Sequence, residues 1–156
     1  MTTIQKRNLF LVALTFGAVV GSAIISYCLL ALSERSLQTD SKSFVDATVV
    51  RIVQDWDEDA LTQRSAKEFS ASARPEKLTA LFTQCKHRLG RLREYQGSKG
   101  SLKIWYSIRA ERLITGEYVA KCEFDKGEAE VQIRIVRQDA QWRILFFYVS
   151  SGVFSN

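Results

Sequence analysis

Three patterns of hydrophobic residues follow one another along the chain. From Leu9 to Leu32 nearly every residue is apolar or small, and no charge falls between Arg7 and Glu34. About 24 residues of helix reach roughly 36 Å, enough to cross a ~30 Å hydrocarbon core with some tilt. The stretch is too long for a cleaved signal sequence, whose apolar region runs about 7–15 residues. Lipid attachment at Cys28 is not expected either, because Tyr27 stands where a small residue is required.

A second pattern begins after the polar tether "SLQTDSKS". Val45, Val49, Ile52, Val53 and Trp56 recur at helical spacing. "DWDEDA" interrupts this helix, and Asp57 or Asp59 caps a second one expected to reach about Ser70. In "ARPEKL", Pro75 suits a first helical position and Glu76 the positive end of the dipole. Leu78, Leu81, Phe82, Cys85 and Leu89 then share one face, and Gly90 stops the helix.

Beyond Gly90 the period falls to two. Leu102, Ile104, Tyr106 and Ile108 alternate on one strand, and Tyr118, Ala120, Cys122 and Phe124 on the next. Ala129, Val131, Ile133 and Ile135 form a third set, and Trp142, Ile144, Phe146 and Tyr148 a fourth. "FDKGEA" and "RQDAQW" read as hairpin turns. The class expected is α+β: an N-terminal transmembrane helix, then helices packed on a curved antiparallel sheet. The boundaries are a cytoplasmic head at 1–8, the membrane helix at 9–32, a tether at 33–42 and an α+β domain at 43–156.

Lys6 and Arg7 in a head without acids place that head in the cytoplasm and the rest outside it, the periplasm in a bacterium. Within the membrane span, Ala13, Gly17 and Gly21 form one row of small residues, and Ala18, Ser22 and Ser26 form another. Membrane helices associate by close packing, so this face is expected to meet another helix, its own copy's or a partner's.

Composition narrows the partners. The net charge is +5, and removing Lys6 and Arg7 leaves +3, an ordinary value. The one basic cluster, Lys86, His87, Arg88, Arg91 and Arg93, lacks an interleaved aromatic platform, so nucleic acid is not an expected partner. A solvated helix face or contact with anionic headgroups fits it. Cys85 and Cys122 match no metal spacing and His87 is the sole histidine, so no metal or other cofactor is expected. Both cysteines fall on inward faces, where two buried thiols or a disulfide would fit.

The opposite sides of the strands carry Trp105, Val119, Leu145, Phe147 and Val149 among their charges. A sheet with one solvated face should alternate cleanly, so this second apolar patch is expected either to dock a partner or to be covered by the tail "SSGVFSN".

Tyr118, Phe124, Gly127, Trp142 and Ile144, with "WDEDAL" and "HRLG", give the stretch Ser43 to Ser151 a resemblance to the nuclear-transport-factor-two-like, or cystatin-like, superfamily. The resemblance implies helices closing a cone-shaped cavity over the sheet. It resembles membrane-anchored bacterial members in particular, and the inner-membrane scaffold proteins of type IV secretion share its layout. Enzymes of that superfamily use a carboxylate base and an acidic hydroxyl inside the cone. Here the inward positions offer Tyr106, Tyr118, Tyr148 and Cys122 without an acid or histidine, so catalysis is not expected. Two expectations remain. One is a non-enzymatic scaffold or accessory subunit of an inner-membrane complex, bound through the membrane helix and the sheet's back face. The other is an apolar ligand pocket lined by Trp56, Phe82, Tyr106, Tyr118 and Phe146.

Overall fold

The computed structural model describes residues 22, 26, 27, 35–106 and 112–155. The chain divides into two compact units, Met1–Leu37 and Gln38–Asn156. In the first unit Ser22, Ser26 and Tyr27 are helical and exposed. No helix among the described residues is long and apolar enough to cross a membrane. The span read at 9–32 lies outside the described residues except at those three positions, as do Ala13, Gly17, Ala18 and Gly21.

Residues 35–53 form α1, which gives residues 38–53 to the second unit. Its spacing brings Val45, Val49, Ile52 and Val53 together out of solvent. The helix ends in a turn at Trp56, held at φ 55°, whose indole N–H donates to the Gly90 carbonyl at 2.9 Å. Asp57 then caps α2 (Glu58–Arg64), accepting from the Ala60 N–H at 2.9 Å.

The sequence predicts that this helix reaches about Ser70, but α2 stops at Arg64 and a separate α3 (Lys67–Ser72) follows. Between them Ser65 bridges to Ile144, and the Ala66 N–H donates to the Ile144 carbonyl at 2.8 Å. The pull of a sheet edge overrides local helix propensity there. Pro75 opens α4 (Pro75–Leu89), and Gly90, at φ 82°, closes it as expected.

Four strands follow as a meander: β1 (Leu92–Tyr106), β2 (Arg112–Phe124), β3 (Gly127–Gln138) and β4 (Gln141–Ser150), antiparallel in the order β1-β2-β3-β4. The architecture is thus α+β, with helices on an open antiparallel sheet. Asp139 and Ala140, at φ 48° and 61°, make the tight β3–β4 turn.

The inner face is paved by Tyr118, Ala120, Cys122 and Phe124 from β2 and Ala129, Val131, Ile133 and Ile135 from β3, as their alternation predicts. Trp56 ties helices to sheet, stacked on Phe124 at 5.3 Å and edge-on to Phe82 at 6.0 Å.

β4 departs from the alternation. Arg134 pairs with Phe146 but Ile135 pairs with Ile144, so Leu145 is an extra residue, a β-bulge. A one-residue slip exchanges the faces of everything beyond it. Phe147 (7% exposed) and Val149 (2%) therefore lie in the core, with Phe147 stacked on Phe82 at 6.2 Å. Their expected place on the back face is corrected, and so is the inward place expected for Phe146 and Tyr148. The tail forms η1 (Gly152–Ser155), in which Val153 and Phe154 pack on the core and the Val153 carbonyl accepts from Arg88 at 3.1 Å. It closes the core beside Gly127, where an added Cβ would fall 2.7 Å from Val153.

Candidate functional site

Three places on this scaffold concentrate chemistry: a polar seam beneath α1, the interior between helices and sheet, and the outer face of the sheet.

The seam was not read from the sequence. Gln38, Ser41, Lys42 and Asp46 recur at helical spacing beside the apolar stripe of α1, and that polar stripe was the available signal. Ser41 and Tyr118 share a hydrogen bond of 2.6 Å between their hydroxyls, and Gln38 Nε2 donates to the same phenol at 3.1 Å. Tyr118 reaches them because position 100 has no side chain. A Cβ on Gly100 would collide with the Glu117 carbonyl and lie 2.6 Å from the Tyr118 ring.

One turn further along, Tyr95 donates to Asp46 Oδ1 at 2.6 Å, Ser98 donates to the same oxygen, and Lys42 pairs with Oδ2 at 2.6 Å. Burial opposes ionisation of Asp46, but the hydrogen bonds from Lys42, Ser98 and Tyr95 together outweigh it and hold the carboxyl below its usual range. Burial, reinforced by the bond to Asp46, pushes the Tyr95 phenol up. The geometry makes a lock between α1 and β1.

The interior is packed. Of the residues expected to line a pocket, Trp56, Phe82 and Tyr118 are buried in the core, and the Tyr118 hydroxyl is already engaged. Phe146 lies on the other side of the sheet. The Tyr106 backbone ends β1, and its side chain lies outside the described residues. Neither Trp56 nor Phe82 lines the surface clefts bounded by Gln96 and Ser150, by Ser65 and Gln138, by Lys99 and Phe146, or by Glu58 and Leu78. Cys85 and Cys122 are buried free thiols, not a disulfide. Burial pushes Cys85 up to about 11 and Cys122 up to about 12, which suppresses the nucleophilic thiolate.

The outer face is different. Lys99, Val119, Gln132 and Tyr148 line up across the four strands, and Ser101, Glu117, Arg134 and Phe146 form the next row. Arg134 lies over the Phe146 ring at 4.6 Å, and Phe146 stacks on Tyr148 at 6.4 Å. Lys99, Glu117, Val119, Gln132, Arg134 and Phe146 enclose a shallow cleft of about 490 Å³. At one end Trp105 pairs with Leu113. Trp105 is 60% exposed, Leu113 48%, Tyr148 48% and Val119 37%. Of the back-face residues named from sequence, Trp105 and Val119 belong here, and Leu145 sits half-buried at the bulge. Leu113, Phe146 and Tyr148, which the alternation did not assign to this face, complete the patch.

The basic cluster sits around the last turn of α4, where cations complement the helix dipole. Arg93 pairs with Asp125 at 2.9 Å, and Lys126 donates to the His87 carbonyl at 2.7 Å. No group of three or more metal-binding side chains occurs among the described residues. No known protein family, curated protein or solved structure matches this chain.

Proposed function

We propose that this is a non-enzymatic interaction protein. A single membrane helix at 9–32 anchors it with its amino end in the cytoplasm, and its α+β domain serves in the periplasm as a scaffold or accessory subunit of an inner-membrane complex. The observation that carries the reading is the outer sheet face, where Trp105, Leu113, Val119 and Tyr148 stand exposed around the half-buried Phe146. Exposed aromatic clusters rimmed by charge are what protein-binding surfaces present. The uncharged span and the basic head support the anchor, and the resemblance to cystatin-like membrane proteins supports the setting. Trp56 and Phe82 packed on Phe124 and Phe147, and an Asp46 carboxylate whose oxygens are taken up by Tyr95, Ser98 and Lys42, support a structural rather than a catalytic or ligand-binding interior.

The test is purification of the full chain from native membrane in mild detergent, as wild type and as Trp105→Glu/Tyr148→Glu. The wild type is expected in a larger complex, and the variant as a folded protein without it. A wild type that emerges alone would refute the reading.

A further inference from the structure

The sheet has two edges, and they are finished differently. At the β4 edge, Ser65 and Ala66 supply main-chain pairing at Ile144. At the β1 edge a side chain does so: the Gln38 carboxamide donates to the Gly100 carbonyl at 3.3 Å and accepts from the Leu102 N–H at 3.2 Å. One amide filling one donor and one acceptor is what a neighbouring strand would do. It also shows which way these groups point. The register between β1 and β2 is unbroken from Ser98 to Tyr106. Alternation therefore turns the N–H and C=O of Ile104 to the same open side as those of Gly100 and Leu102. Among the described residues β1 has no strand beyond it.

We infer that the β1 edge over Lys103–Tyr106 receives an extended, acidic peptide strand. The side chains beside the edge select its chemistry. Lys99 and Lys103 line the outer face of β1 and Trp105 follows at the end, while Lys103 already pairs with Glu117 on β2 at 3.1 Å. Two β1 edges paired with Lys103 opposite Lys103 would set lysine against lysine, which disfavours a second copy in that register. A strand with alternate carboxylates would extend the Lys103–Glu117 pairing by one position and lay an apolar residue near Trp105. This inference goes beyond outer-face docking, because it uses backbone groups at the edge and has its own readout.

The probe is a fluorescein-labelled octapeptide of alternating valine and glutamate, titrated by anisotropy into the full chain in nonionic detergent. Saturable binding that weakens with salt is expected. Methylating two alternate peptide amides should weaken it at least about tenfold by removing edge hydrogen bonds, and a lysine-for-glutamate peptide should not bind. Ile104→Pro removes the edge-pointing N–H together with a half-buried isoleucine side chain, at an edge position where proline is tolerated. Binding should therefore be lost at temperatures well below the variant's own melt. No saturable binding, equal binding of the methylated or lysine peptide, or undiminished binding by folded Ile104→Pro would each overturn the inference. Every one of these outcomes can occur while the Trp105/Tyr148 result stands.

Discussion

The two faces of one sheet are built from the same four strands and obey different rules. On the inner face each side chain has a partner: Trp56 on Phe124, Phe82 on Phe147, the Tyr118 hydroxyl on Ser41. The outer face carries fewer large apolar groups, Trp105, Leu113, Val119, Phe146 and Tyr148, and there they stand exposed or half-buried among Lys99, Glu117 and Arg134. Along β4, where both parities are apolar, hydrophobicity does not tell the faces apart. The helices do, because they cover only one.

Neighbouring residues of β4 give the hardest test of that contrast. Phe147→Glu places a lone charge in the core, which costs several kcal/mol, so the full chain is expected to lose its cooperative melt. A retained melting temperature would mean that Phe147 faces solvent and that Leu145 is not a bulge.

The buried thiols come next. Folding raises both pKa values from 9.0, to about 11 for Cys85 and about 12 for Cys122. Each thiol's contribution is therefore complete below pH 9 and is lost as pH rises through the folded value. For Cys85 the shift corresponds to about 3 kcal/mol at its full extent. Urea melts from pH 8 to 11 should show this fall, and Cys85→Ala should flatten it. Thiol reagents at pH 7.5 should label neither residue until denaturant is added.

The seam beneath α1 has a smaller effect of opposite sign. Asp46 is held below its usual range, so its contribution is present above the ordinary carboxylate pKa and disappears as pH falls through the lower folded value. Asp46→Asn should cost about 1–3 kcal/mol at pH 7, because Tyr95 and Ser98 then bond to a neutral amide oxygen and Lys42 faces an NH2 donor where Oδ2 accepted. It should also reduce the loss of stability as pH falls below the ordinary carboxylate value of 3.8. An unchanged acid profile would mean that another carboxylate controls it.

The smallest effects belong to the outer face. Trp105→Ala and Tyr148→Glu should each cost less than about 1 kcal/mol, because both side chains are largely exposed and lose only the contacts with Leu113 and Phe146. A drop comparable to that of Phe147→Glu would show that the outer face is covered after all, and the contrast between the faces would fail.

What the amino-acid order determined by itself was whatever a local period enforces. The α1 stripe of Val45, Val49, Ile52 and Val53, the Asp57 cap, the Pro75 start, the Gly90 stop and the inward sets of β2 and β3 all depend on residues close in sequence. Two of the five outer-patch residues were equally legible, since Trp105 and Val119 break the alternation of strands with one clear apolar side. In "ILFFYV" both parities are apolar, so shifting the strand by one residue changes little in buried hydrophobicity and the period loses its authority. Tertiary contacts decided that case: Ala66 holds the Ile144 carbonyl, Leu145 is left over, and Phe82 takes Phe147. The same is true where α2 ends and where Gln38, Asp46, Tyr95 and Ser98 meet. Those pairings join residues about 50 to 80 positions apart, and only the packing of α1 and the Ser65–Ala66 linker against the sheet brings them within hydrogen-bond reach.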